Sequence, residues 1–326
     1  MIRSRHLRVI LTVFVFLAGS LACSRQQPDE LSIRLKWIHQ AQFAGFYYAQ
    51  ETGLYAAKGV TVSLRPGGVD YPAIQRVASG SDHFGVAGAD QILIARENGI
   101  PIVAVACIYR KSPFVLFALS GSGINSVEDL RGKRVGVLLG GSEELVYRAM
   151  LRKAGLTSAD VNEIPVELDI TLLLTGQIDV WPGYSINEPI TLEDQGHQVT
   201  LIWPEDYGIH VYSDVLFTTE EMIRSNPQIV RDVVDATVKG WEGAFSDRNS
   251  AVEFTLTYSD QLREDHERKM LDASADLVMP DQKPIGWMER EAWENLHQLL
   301  RTSGFLKEDV DIDQAFSIDF LPGVGQ

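Results

Sequence analysis

Aromatic side chains interleaved with amides and carboxylates recur where predicted strands give way to helices. Trp37, His39, Gln40, Gln42, Phe43, Phe46, Tyr47 and Tyr48 follow the first strand. Gly67, Gly68 and Asp70 follow the second, Gly88 and Asp90 the third, and Tyr109, Arg110 and Lys111 the fourth. Further on come Gly140, Gly141, Ser142 and Glu143, then Trp181 to Tyr184, then Asn187 and Glu188. Flat rings offer stacking area. Amides and carboxylates read ring nitrogens and amino groups at a ring's edge. The set points to capture of a flat heteroaromatic molecule. Trp37, Gln42, Tyr47, Asp70 and Asp90 are its candidate contacts in the first half, and Gly141, Ser142, Tyr184, Asn187 and Glu188 in the second. A taurine or nitrate site calls for fewer aromatics and more fixed donors.

Each position also has a packing reading. Trp37 at a strand end either lines a pocket or fills the core. Phe43, Phe46 and Tyr47 follow the i, i+3, i+4 spacing of a buried helix face, so only one or two of that run face a cleft. Asp90 either reaches the ligand or caps the helix that begins beside it. Gly140-Gly141-Ser142 either cradles an anion through backbone N–H groups or simply starts a helix. It lacks the Lys-Ser/Thr ending of a P-loop. Glu188, ahead of Pro189, is either a pocket acceptor or an acid favoured by the helix dipole.

Signals for catalysis are weak. Beyond the leader, histidines stand at 39, 83, 197, 210, 266 and 297, without metal-ligand spacing. There is no GxSxG elbow. Cys107, in the apolar run Ile102–Ile108, reads as a small buried hydrophobe. No metal or cofactor is expected.

These residues need a β/α frame to position them. Leu31 to Trp37 alternates apolar and polar residues, a strand signal. A helix over Phe43–Tyr55, a strand over Val60–Leu64, a helix over Tyr71–Ala78, a strand over Phe84–Ala87, a helix over Gln91–Glu97 and a strand over Ile102–Ile108 follow. A second set holds a strand at Arg134–Leu138, a helix capped by Ser142 and running to Lys153, and short strands at Ile178–Trp181 and Val199–Trp203. From Thr218 the chain reads as successive helices: Pro227–Phe245, Ala251–Tyr258, Glu264–Leu277 and Glu289–Leu300. Strands alternating with helices predict mostly parallel sheets covered on both faces. The chain has 326 residues, which suits two domains. Phe114–Leu119 and Val215–Thr219 are the candidate crossings between two sheets. The first lobe then comprises residues 24–117 and 216–326, and the second is a continuous insertion, 118–215.

The N-terminus carries an address. Arg3, Arg5 and Arg8 precede an apolar core over Val9–Ala18, and Gly19-Ser20-Leu21-Ala22 leads into Cys23. The apolar stretch is short for a membrane span, so residues 1–22 read as a secretory signal. Small residues directly before a Cys resemble a bacterial lipobox, with Cys23 lipidated. An ordinary cut near Ala22 is the other reading. The formal charge is −15, and the leader holds three Arg and no acid, so the chain beyond it is more negative still. Such a surface repels nucleic acid and anionic lipid.

The run from Leu35 through Trp37, Phe43 and Gly45 to Ala49, with Gly53 to Gly59 behind it, resembles the substrate-binding proteins related to thiamine-pyrimidine synthases. So do Gly88-Ala-Asp90-Gln91, Asp129 to Val135, Gly176 to Asp179, and Gly183-Tyr184 with Asn187-Glu188-Pro189. The resemblance spans Leu31 to Phe245. It implies a two-lobed type II periplasmic binding fold, each lobe a mostly parallel sheet flanked by helices, with the helical C-terminal segment on the first lobe. It implies an extracytoplasmic monomer, held to the membrane only through its lipid, that passes a small heteroaromatic ligand to an ABC permease and its ATPase. Family members take aminopyrimidine thiamine precursors such as formylaminopyrimidine or hydroxymethylpyrimidine, riboflavin, or alkanesulfonates. By resemblance, Trp37 and one tyrosine of the Tyr47/Tyr48 pair stack on the ring, and Glu188 accepts from an exocyclic amino group. The family's synthases carry a Cys-rich motif with an active-site His and Lys. This chain lacks the Cys cluster and carries a secretion signal, so a binding protein is expected rather than an exported synthase-like enzyme.

Overall fold

The computed structural model describes residues 30–167 and 169–324. The leader, Cys23 and residues 24–29 lie outside them. In chain order the elements are β1 (Leu31–Arg34), α1 (Ala44–Glu51), α2 (Leu54–Ala57), β2 (Val62–Arg65), α3 (Ala73–Ala78), β3 (Phe84–Ala87), α4 (Ala89–Glu97), β4 (Ile102–Cys107) and β5 (Phe114–Leu119). Then come β6 (Arg134–Val137), α5 (Ser142–Lys153), β7 (Asn162–Pro165), α6 (Thr171–Leu174), β8 (Trp181–Tyr184), α7 (Glu188–Asp194), β9 (Val199–Ile202) and β10 (Val215–Thr219). The chain ends in α8 (Glu220–Ser225), α9 (Pro227–Ser246), α10 (Arg248–Leu256), α11 (Glu264–Val278), α12 (Arg290–Ser303) and α13 (Ile312–Ala315).

The strands form two sheets of the same plan. The first runs β2-β1-β3-β10-β4. β1 pairs parallel with β2 and β3, and β10 pairs antiparallel with β3 and β4. In the second, β5 lies antiparallel between β8 and β9, and β6 pairs parallel with β7. A parallel bridge between Val135 and Val180 ties the two pieces together, giving the order β7-β6-β8-β5-β9. Both predicted crossings are therefore the antiparallel strand of the sheet they enter. A strand pattern foretells an extended segment but not its direction. The rest of each sheet is parallel, as the β/α alternation predicts.

Several boundaries differ from the sequence expectation. The helix predicted over Phe43–Tyr55 is two helices, split at Gly53, whose φ of 74° no other residue adopts cheaply. Ser142 is the first residue of α5, and Gly141 holds the cap position. The strand predicted at Ile178–Trp181 starts at Trp181. The C-terminal helices mainly cover the first sheet. α9 lies on α1 so closely that a Cβ on Gly45 would stand 2.2 Å from Trp241 Cγ, and one on Gly240 would stand 2.2 Å from the Gly45 carbonyl. Small residues there let Trp241 become fully buried. The tail also touches the second sheet's helices: His266 of α11 meets Asn187 at 3.0 Å, and Lys269 pairs with Asp194 of α7. One buried apolar cluster runs through both sheets, joining Ala104 and Phe217 to Leu116, Val135 and Met150. Cys107 is buried and free, as expected. Among the described residues no helix is long and apolar enough to cross a membrane.

Candidate ligand-binding site

The C-terminal ends of β1 and β3 face those of β6 and β8. This is where open α/β sheets place their ligands. Lys36 leaves β1 between the two sheets. Its Nζ donates to Tyr184 Oη at 2.7 Å and to Ser213 Oγ at 3.2 Å, and lies 3.7 Å from Asp214 Oδ1. It also sits 5.4 Å from the centre of the Tyr184 ring. Tyr184 Oη donates onward to Glu143 Oε1 at 2.8 Å. Gln42 donates to Asp214 Oδ2 at 2.7 Å and accepts from Gln40 at 2.6 Å. One polar chain thus links β1 and the start of β10 to α5 and β8.

A small cavity lies among these groups, lined by Lys36, Gly88, Asp90, Ser142, Glu143 and Tyr184 with others around them. Its volume of about 10 Å³ is at the lower limit for one water. The cleft is closed on itself here, with no room for a molecule larger than a water. Asp90 Oδ1 and Ser142 Oγ are both buried without a hydrogen-bond partner. A Cβ on Gly88 would stand 2.3 Å from the first and 2.9 Å from the second, so both oxygens crowd the same glycine.

Carboxylates outnumber cations in this space. Burial pushes the Asp90 carboxyl above its ordinary value, and the Lys36 ammonium offsets part of that rise. Burial also raises Asp214, with Lys36 and Gln42 opposing. For Lys36 burial alone works against the charge. Tyr184, Asp214 and Glu143 outweigh it and hold the ammonium above its usual range. Desolvation and opposed charge at one point are what a functional site asks of its titratable groups.

The predicted contacts divide into two groups. Asp90, Ser142, Tyr184 and Gln42 come together around Lys36, and Gly141 caps α5 beside them. Trp37, half-exposed at the exit from β1, lies against the loop carrying Gly68, and Asp70 on that loop is exposed. Tyr47 is fully buried, stacked on Tyr258 with ring centres 4.2 Å apart and bonded to His39 at 3.0 Å. Asn187 turns to His266. One oxygen of Glu188 accepts the Tyr184 N–H at 2.8 Å, and burial raises its carboxyl.

Lys36, Ser213 and Asp214 escaped the sequence reading, and Glu143 was noticed only as part of a loop. Lys36 falls on the polar phase of β1, the solvent side if one face were open. Ser32 and Arg34 share that phase and are buried, because β1 has strands on both sides and helices over both faces. The usable signal was a lysine in the first strand of a chain whose pattern already implied double coverage.

A family model described as NMT1/THI5 like matches residues 40–251. The riboflavin-binding protein RibY of Chloroflexus aurantiacus is 27% identical over 311 residues, covering 90% of this chain and 87% of the relative. The formylaminopyrimidine-binding protein of Halalkalibacterium halodurans is 25% identical, covering 94% and 96%. The crystal structure of the periplasmic aliphatic sulphonate binding protein SsuA from Escherichia coli superposes with a TM-score of 0.69 at 18% identity, over 88% of this chain and 92% of that one. This last likeness speaks for a periplasmic binding protein fold.

Proposed function

The chain belongs to the NMT1/THI5-like family, and on that premise we propose that it is the extracytoplasmic solute-binding lipoprotein of an ABC importer. Its cargo is a thiamine pyrimidine precursor or a similar flat heterocycle, held between lobe 24–117 plus 216–326 and lobe 118–215. The observation that carries this reading is the polar cluster shared by both sheets: Lys36 and Asp90 from one, Ser142, Glu143 and Tyr184 from the other. A ligand bonded to both sides favours the closed state by the difference in its affinity for the two states. That is a carrier's mechanism, and two similar relatives are named as binding proteins.

Riboflavin is the second cargo supported, through the relative named for it. An alkanesulfonate fits less well. The cleft's single lysine is outnumbered by Asp90, Glu143 and Asp214, and Lys111 is engaged over the Trp203 ring at 4.2 Å.

A thermal-shift panel of formylaminopyrimidine, hydroxymethylpyrimidine, riboflavin and taurine tests the proposal, since a ligand of the folded state raises the melting temperature. A rise with a pyrimidine is the expected result. A rise with riboflavin alone changes the cargo, and a rise with taurine alone refutes the heterocycle.

A further inference from the structure

Asp90 is the second residue of α4 and is 1% exposed, yet its Oδ1 has no hydrogen-bond partner. Ser142, the first residue of α5 and 8% exposed, is in the same position. Buried polar atoms in folded proteins are nearly always paired, so an orphan calls for an explanation. Two orphans from opposite sheets, crowding the same glycine at the edge of one cavity, have a common one. The cap position of α4 belongs to Gly88, whose N–H is met by the Gln91 side chain at 3.4 Å, so Asp90 does not cap that helix.

We propose that Asp90 and Ser142 together form the donor-recognition point of the cleft, clasping one N–H group of the bound heterocycle, either an exocyclic amino group or a ring imide N–H. This deepens the function proposed above and rests on it. The chemistry follows from the groups present. A carboxylate only accepts, and a hydroxyl supplies a further acceptor. A ligand oxygen placed there would leave Asp90 facing another acceptor, and a sulfonate would also meet Glu143 and Asp214. An N–H donor satisfies both orphans. Because one acceptor comes from each sheet, its capture also draws the two lobes together. Within the heterocycles the cleft admits, N–H donors are therefore selected. The family resemblance gives Glu188 the amino-reading role. Here one Glu188 oxygen is taken by a backbone N–H, and the open acceptor is Asp90.

The test pairs a ligand change with a residue change. Formylaminopyrimidine and its 4-dimethylamino analogue, and riboflavin and its N3-methyl analogue, are titrated calorimetrically into the purified protein and into its D90A and D90N variants. For the probe that binds, methylation costs the wild type about tenfold or more in affinity. In D90A parent and methylated probe bind within about threefold of each other. The ligand-free melting temperature of D90A is no lower than that of the wild type, since the buried Asp90 Oδ1 has no hydrogen-bond partner in the fold to lose. Equal binding of parent and methylated probes by the wild type overturns this inference alone. So does a lower ligand-free melting temperature, or failure to fold, in both variants, which would make Asp90 a structural acid of α4. If neither parent binds, the proposed function falls and the inference falls with it.

Discussion

Two buried charge clusters meet the same stretch of chain at the end of β1, and they are built in opposite senses. Arg34 belongs to the first. Its Nε donates to Asp82 Oδ2 at 2.9 Å and its guanidinium also reaches the Pro66 carbonyl at 2.6 Å. Arg65 and Arg76 approach the same carboxylate, each at 3.1 Å. Lys36, two residues on, belongs to the second, where one cation stands among Asp90, Glu143 and Asp214. Burial by itself would raise the Asp82 carboxyl, but the hydrogen bonds from Arg34 and Arg76 more than offset it and hold the group below its ordinary value. At Asp90 and Asp214 burial wins. The first cluster is complete within the fold. The second leaves acceptors open at the cavity. A closed charge network is a structural device, whereas an open one at the meeting of two sheets is what the proposed ligand would complete.

The largest effect is expected from opening the closed cluster. Asp82→Ala leaves three arginines facing one another, Arg34 almost wholly buried, and should destabilise the protein by about 3–5 kcal/mol. Urea unfolding reads this as a lower midpoint at constant slope. A loss below about 1 kcal/mol would show that solvent satisfies the arginines and would erase the contrast. Because the folded Asp82 value is depressed, its contribution is present above the unfolded value and is lost as pH falls through the folded one.

Glu267 on α11 is an intermediate case, 2% exposed, with the Ala41 N–H at 2.6 Å as its acceptor's partner. Burial pushes this carboxyl up to about 7 from 4.5. A raised acid holds in the folded state a proton that the unfolded chain has already released, so stability falls as pH rises from about 4.5 to 7. Glu267→Gln keeps the acceptor and removes the charge. It should raise the unfolding free energy at pH 8 by about 3 kcal/mol and at pH 5 by less than about 1 kcal/mol. Equal effects at both pH values would mean that packing, not ionisation, sets the cost.

The smallest effect is expected from Lys36→Met, about 2 kcal/mol or less, because the buried acids left without the ammonium can take up a proton. Asp214 lies 3.7 Å from the ammonium and keeps Gln42, Tyr184 keeps Glu143, and the methionine chain fills the space. The same urea titration checks it. A loss above about 3 kcal/mol would make Lys36 as structural as Arg34.

Much of this molecule is legible along the chain. β/α alternation marked both sheets, and Phe114–Leu119 and Val215–Thr219 were recognisable as extended segments. Asp90, Ser142 and Tyr184 were singled out by the rule that ligands gather beyond strand ends, and the fold brings all three to one cavity. That rule uses only local order, strand then loop then helix, which neighbouring residues determine through backbone preference and hydrophobic period.

Tertiary structure decided what each side chain meets. Lys36 and Tyr184 are 148 positions apart and Gln42 and Asp214 are 172 apart, and no local period couples residues over such distances. Double coverage of β1 turned its polar phase inward. The same packing gave Asp82 its arginines, turned Asn187 to His266 and enclosed Tyr47 behind Tyr258. Local sequence fixes where a side chain can start from, because the backbone dihedrals there depend on near neighbours. Whether that side chain is satisfied or left open depends on desolvation and on partners that only the folded chain brings within hydrogen-bond reach.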